Sequence, residues 1–411
     1  MTSETLFYIL IAIIVVSFLI DKWLDVLNAS RFSKPIPKAL SDVYNEADYQ
    51  KSQQYKKVNF RFSLVSSTFS LLLTLAFFFF DGFALVDAWA RSVTDNTIAI
   101  ALLFFGVLFF ASDLLTTPFS YYHTFVIEER FGFNKTTHKT FMFDKLKGWL
   151  LTIVLGGGLM ALFEFLFETL GSSFWLYAWA VVVIFSVVMN LFYARWIVPL
   201  FNKQTPLEEG TLRDKIETYA LQVGFQLNNI YVIDGSKRST KANAYFSAFG
   251  REKRITLYDT LIDDLDEDEI VAVLAHEVGH YKKNHILINL FSGMLLTGFT
   301  LWLLSVFVSN PIFSEALGVS TPSFHVGLIV FFILYSPISE LTGLAMNVLS
   351  RKFEYQADNF AKTTYAAEPL ISSLKKLSKS SLSNLTPHPA YVFVHYSHPT
   401  LLQRYQNLMR S

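Results

Sequence analysis

The chain has 411 residues, a formal net charge of zero at pH 7 and no cysteine. Neutrality argues against a nucleic-acid partner, and the absence of thiols excludes disulfides, a cysteine nucleophile and cysteine metal ligands. With 52% hydrophobic, 16% aromatic and only 17% charged residues and a mean hydropathy of +0.36, the composition is that of a polytopic membrane protein.

Hydropathy predicts seven membrane spans, at about 5–22, 62–80, 97–116, 149–170, 174–196, 285–308 and 326–348. The first does not read as a cleavable signal, because Met1-Thr2-Ser3-Glu4 carries no positive charge and no small-residue cleavage site follows. Basic residues alternate along the connecting segments. Residues 22–61 hold Lys22, Arg31, Lys34, Lys38, Lys51, Lys56, Lys57 and Arg61, whereas 81–96 hold only Arg91. Residues 117–148 hold Arg130, Lys135, Lys139, Lys145 and Lys147, whereas 171–173 and 309–325 hold none. The positive-inside rule then places the N-terminus outside and the C-terminus in the cytoplasm. Residues 36–60 read as a helical cytoplasmic segment. Asp113, Glu164, Glu168, Asn190 and Glu340 fall inside or at the ends of spans. They fit either a hydrated intramembrane cavity or hydrogen bonding between helices.

The largest soluble insertion is 198–284. Within it, 229–234, 242–249 and 254–258 read as short strands separated by Gly235-Ser236 and Gly250-Arg251-Glu252. An exposed edge of such a sheet could hold an extended peptide through its backbone, or the hairpin could serve packing alone.

The insertion ends in His276-Glu277-Val278-Gly279-His280, an H-E-x-x-H pattern. On a helix, residues four apart share one face, so both imidazoles could grip one zinc, with Glu277 beside them to activate water. The alternative is a solvated amphipathic helix with two incidental histidines. Against it stand the capping-box pattern Asp264-Leu265-Asp266-Glu267, the acidic first turn and the apolar Ile270, Val273 and Leu274. No Pro or Gly separates His280 from the apolar run at Ile286, so the helix is expected to continue into the membrane. That puts the metal within roughly 10 Å of the hydrocarbon. A third ligand is needed. Glu354 is the best candidate, and Asp358, one turn later, could hold the second nitrogen of a ligand histidine. Taken alone, two carboxylates at this spacing are more often a solvated helix face, but here an apolar span leads directly into them.

HEVGHYKKNH at 276–285, FEYQAD at 353–358 and HYSHPTLLQR at 395–404 resemble the integral-membrane CAAX prenyl protease 1 family of zinc endopeptidases. HTFVIEERFGFN at 123–134, PLFNKQTPL at 199–207 and GSKRSTKANAYF at 235–246 extend the similarity over nearly the whole chain. The resemblance implies an all-α membrane fold of seven helices around a large water-filled chamber, with a small α+β gluzincin-like protease portion on the cytoplasmic side. Residues 1–197 form an N-terminal membrane region in this reading. Residues 198–284 form the protease segment, 285–348 the last two spans, and 349–411 a C-terminal segment completing the site. The resemblance further implies one Zn²⁺ on His276, His280 and Glu354, Glu277 as general base and Asp358 buttressing a ligand histidine. Asn243-Ala244-Tyr245 match the strand that aligns the substrate backbone, and His398 and Arg404 match residues near the reacting carbonyl. His285, His123 and His395 are read as structural or peripheral, since three ligands suffice.

The implied activity is release of the C-terminal tripeptide from prenylated C-a-a-X proteins, with the bilayer and a lipidated peptide as partners. The membrane would be the endoplasmic reticulum in a eukaryote and the inner membrane in a bacterium. No endoplasmic-reticulum retention signal closes the sequence. Quality control of non-prenylated membrane proteins, in the manner of the heat-shock membrane protease, is the alternative. A polytopic transporter would place its paired polar groups near the midplane rather than outside the spans.

Overall fold

A computed structural model describes residues 1–247 and 253–410 of the chain. Its first half is helical: α1 (Ser3–Ala29), α2 (Glu46–Phe79), α3 (Thr97–Phe131) and α4 (His138–Phe201). A soluble part follows, with helices α5 (Thr211–Gln222) and α6 (Glu267–Lys282), and then α7 (His285–Phe307) and α8 (Phe324–Thr364). Helices α9 (Ala367–Ser380) and α10 (Leu401–Met409) lie towards the C-terminus. Among the described residues six runs are long and apolar enough to cross a membrane, namely α1 to α4, α7 and α8. The α4 run has 64 residues, which as one straight rod would measure about 96 Å, some three hydrocarbon thicknesses. It is broken at Gly171, whose φ of 55° glycine adopts without steric cost. The break falls between the expected spans 149–170 and 174–196, so both lie within this one run.

The polar residues of the spans find different partners. Asp113 on α3 accepts from Lys145 Nζ at 2.9 Å and Trp149 Nε1 at 2.8 Å on α4. Glu168 accepts from Thr97. Both bond between helices. Asn190 donates to Ser186 O of its own helix, Glu340 is exposed, and Glu164 is buried with one oxygen unpartnered. The expected 36–60 segment is a short 3₁₀ turn at Lys38–Leu40 followed by α2. Asn45 caps α2 by accepting from Asp48 N–H.

The soluble part contains a four-stranded sheet of β1 (Gln204–Pro206), β2 (Asn229–Ile233), β3 (Ala244–Ser247) and β4 (Arg254–Tyr258) in the order β1-β2-β4-β3. β2 and β4 run parallel, and β3 pairs antiparallel to β4. Ile230, Ile255 and Leu257 of the sheet are buried against Ile216 of α5 and Ile270, Leu274 and Val278 of α6. Removal of each such side chain from water contributes about 1.5–3 kcal/mol, which fixes α6 against the sheet. The three strands expected from sequence are present, while β1 is additional. The end of the expected 242–249 strand and the Gly250-Arg251-Glu252 turn lie outside the described residues.

Two local expectations are corrected. The capping box of α6 sits two residues later than the pattern suggested. Asp266 is the N-cap, and its N–H donates to Glu269 Oε2 at 2.8 Å. Asp264 instead ends the short preceding helix Asp259–Asp264. Nor does the helix run unbroken into the membrane: α6 stops at Lys282, Asn284 takes a left-handed φ of 59°, and α7 starts at His285. Asn is the non-glycine residue that most readily adopts this conformation.

Candidate metal centre

Helix α6 and the end of α8 cross closely. A Cβ at Gly279 would stand 3.0 Å from Ala357 Cα and 3.1 Å from Ala357 O. Glycine therefore permits the approach that brings the two histidine positions to Glu354. The 41 residues of α8 span about 60 Å, twice the hydrocarbon thickness, so its C-terminal turns project beyond the apolar part and carry Glu354 and Asp358.

His276 Nε2, His280 Nε2 and the Glu354 carboxylate converge. The Nε2 atoms are 3.2 Å apart. His276 Nε2 lies 3.4 Å from Glu354 Oε2, and His280 Nε2 lies 3.3 Å from Oε1. These three residues are the group of metal-type ligands found among the described residues. A tetrahedral zinc with ligands at about 2.0–2.1 Å has edges of roughly 3.3–3.4 Å, so the spacing fits such an ion. Two facing imidazole nitrogens beside a buried carboxylate, whose Oε2 has no hydrogen bond, form a donor set that a cation satisfies.

Each histidine is held from behind. Asp358, fully buried, lies 2.9 Å from His276 Nδ1. It accepts that N–H and leaves the Nε2 lone pair facing Glu354. Arg404 on α10 grips Asp358 with one edge of its guanidinium, Nε to Oδ2 at 3.0 Å and Nη2 to Oδ1 at 2.5 Å. Burial and Arg404 push the His276 pKa down, but the Asp358 and Glu354 carboxylates outweigh them and hold it above its ordinary value. Burial likewise penalises the Arg404 charge, and Asp358, Glu354 and Glu277 more than compensate.

His280 is held by a pair that sequence reasoning set aside. Its Nδ1 lies 3.0 Å from His285 Nδ1, and His285 Nε2 lies 2.7 Å from Gln356 Oε1. His285 is 1% exposed and stacks on Phe353 at 4.0 Å. The proton assignment that satisfies all these groups has His285 Nε2–H donating to Gln356 and His280 Nδ1–H donating to His285. His280 Nε2 is then unprotonated towards Glu354. On a continuous helix His285 would be turned about 140° from His280, and the left-handed Asn284 brings it back. Asn284 was the only signal in the sequence.

Glu277 is half-buried, and no hydrogen bond or ion pair engages its carboxylate among the described residues. His398 approaches from the loop before α10, with Nε2 3.4 Å from Glu354 Oε1 and Nδ1 2.9 Å from Ser397 Oγ. Arg404 is engaged by Asp358 rather than free in the cleft. β3 ends the sheet, so one of its backbone edges has no strand partner among the described residues. Tyr258 N–H donates to Asn243 O. By the alternation of an antiparallel ladder, Ala244 turns its N–H and C=O to the free edge. The Asn243 side chain accepts from Ala244 N–H, and Tyr245 OH accepts from Gln204. His123 bonds Asn59 and His395 packs on Tyr391, both apart from the three converging residues.

A helical membrane scaffold carrying an H-E-x-x-H helix packed on a small sheet, with a Glu from a second helix, defines a membrane-embedded metallopeptidase. Two family models cover the chain: one described as CAAX prenyl protease N-terminal, five membrane helices, over residues 25–203, and Peptidase family M48 over residues 206–411. The CAAX prenyl protease 1 homolog of Arabidopsis thaliana is 37% identical, covering 96% of this chain and 95% of that protein. CAAX prenyl protease 1 of Saccharomyces cerevisiae is 35% identical, covering 90% and 87%. The crystal structure of S. mikatae Ste24p superposes with a TM-score of 0.94 at 33% identity, covering 98% of this chain and 99% of that one. The chain belongs to peptidase family M48 and is a membrane metallopeptidase of the CAAX prenyl protease 1 type.

Proposed function

We propose that the enzyme removes the C-terminal tripeptide from prenylated C-a-a-X proteins, at a zinc site on the cytoplasmic face of the membrane. The observation that carries this reading is similarity over nearly the full length to proteins named for that activity. The quality-control alternative has no comparable support. Counting α4 as two crossings gives seven. Basic-residue placement then puts α6, the end of α8 and residues 349–411 in the cytoplasm. The helices surround a water-filled chamber in this reading, where the prenyl chain stays near hydrocarbon while the peptide reaches the metal.

His276, His280 and Glu354 would hold the zinc, and their spacing and a Glu354 Oε2 that has no hydrogen bond fit that ion. A zinc held by these residues would supply Lewis acidity to the scissile carbonyl and to the attacking water. Glu277 takes the water proton and delivers it to the leaving amine, a role suited to a carboxylate that no hydrogen bond engages among the described residues. Asn243, Ala244 and Tyr245 align the peptide, with Ala244 offering its edge-facing C=O and, once the Asn243 side chain yields it, its N–H. His398 donates to the developing oxyanion. Asp358 fixes the tautomer of His276, and Arg404 holds Asp358 in place.

The test of substrate class compares a farnesylated C-a-a-X peptide with its unprenylated twin, using purified protein in bilayer discs. The expected result is release of the tripeptide from the farnesylated peptide at a kcat/KM at least about tenfold higher, the advantage of burying even part of a prenyl chain. Equal cleavage of the two peptides would contradict the prenyl preference and favour the quality-control reading.

A further inference from the structure

Beside the metal centre lies a cavity of about 410 Å³, the size of a small-ligand site. His398 lines it, and so does Lys56 of α2. The rest of the wall includes Ser383, Asn384, Ser397 and Thr400, and no Asp or Glu belongs to it. A cavity walled by a lysine ammonium, imidazoles and hydroxyl and amide groups, with no carboxylate, is electrostatically matched to an anion.

Lys56 lacks a counter-charge. Its ammonium stands 5.3 Å from the Tyr55 ring centroid, and no ion pair to it is formed among the described residues. The carboxylate of Glu128 is already taken by Lys241 Nζ at 2.6 Å and Tyr55 OH at 2.5 Å. Three residues earlier on α2, Gln53 is 7% exposed with neither amide atom partnered. A half-buried ammonium without an ion-pair partner is stabilised in its charged form when an anion arrives.

The cavity shares His398 with the catalytic centre, since His398 Nε2 also reaches Glu354. The cavity therefore opens next to the metal centre, on the side that His398 occupies. A tripeptide leaving group carries an anion, its terminal carboxylate, about 10 Å beyond the scissile carbonyl when extended. We infer that Lys56 binds the C-terminal carboxylate of the peptide substrate and that the cavity is the subsite for the released residues. This rests on the tripeptide-releasing reading above. A lipid phosphate would have no reason to meet His398.

The experiment uses the full-length enzyme in phosphatidylcholine discs with two farnesylated peptides that differ only in a free or an amidated C-terminus. Wild type should favour the free acid by about tenfold or more in kcat/KM, the worth of one charge-assisted bond. Lys56→Met should bring the acid-to-amide ratio near one, through KM, and Lys56→Arg should restore the preference. Lys56→Gln supplies the same reading should the Met variant fold poorly. An unchanged ratio in the Met and Gln variants would overturn the assignment, as would a wild type that cuts acid and amide equally. A Lys56 effect that follows phosphatidylglycerol content rather than the peptide terminus would overturn it in favour of a lipid phosphate. Failure of wild type to cut either peptide would instead sink the protease reading itself.

Discussion

Glu277→Gln is expected to abolish peptide hydrolysis while leaving the metal in place. The amide matches the carboxylate in size but cannot accept a proton, so general-base assistance is lost. Such assistance is worth about 10²–10⁴-fold, roughly 3–5 kcal/mol of barrier. Glu277 shares no hydrogen bond with His276, His280 or Glu354, so their spacing of 3.2–3.4 Å should persist in the variant. Single-turnover cleavage combined with metal analysis of the same sample separates the two effects. A variant that keeps its metal and retains activity within tenfold of wild type would remove Glu277 from the mechanism.

Asp358→Ala carries the second large effect, and it acts on folding and metal binding together. Asp358 is fully buried and supports both His276 and the guanidinium of Arg404. Its removal leaves the Arg404 charge without its bidentate partner, a loss of about 3–5 kcal/mol for a broken buried pair. It also frees the His276 ring, and loss of such a support typically weakens metal binding about 10–100-fold. The two consequences can be split. Asp358→Ala combined with Arg404→Met removes the stranded charge and should recover much of the thermal stability, yet the metal affinity should stay low. If the double variant regained wild-type metal affinity, Asp358 would be a partner of Arg404 and nothing more.

Much of this site was legible in the sequence because helical spacing is a strong constraint. His276 and His280, four apart, could only face the same way. Glu354 and Asp358, at the same spacing on the extension of an apolar span, could only lie one above the other. What hydropathy could not give was local backbone geometry. Asn284 reads as one more polar residue in a Lys-Lys-Asn-His run, yet its left-handed φ separates α6 from the membrane helix that the pattern implied it would join. That kink is what turns His285 onto His280. Its further partner Gln356 lies 71 residues away in the chain, a separation that no local pattern spans. β1 was missed for a related reason. Three residues ending in Pro206 look unlike a strand, and they hold only because β2 offers an open edge. The close crossing at Gly279 had no signal beyond the glycine itself. The apolar runs of the membrane part followed from hydropathy, with 149–170 and 174–196 joined in one bent run.

That His276, His280 and Glu354 form a single catalytic zinc site is tested most directly by zinc content against activity in the purified enzyme, through chelation and stepwise return of the metal. Activity should vanish on chelation and be restored at one zinc per chain, while His280→Ala should bind less than a tenth of the wild-type zinc under the same conditions, the loss of one of three protein ligands. Chelator-insensitive cleavage by a metal-free enzyme, or full zinc binding by the His280 variant, would contradict it.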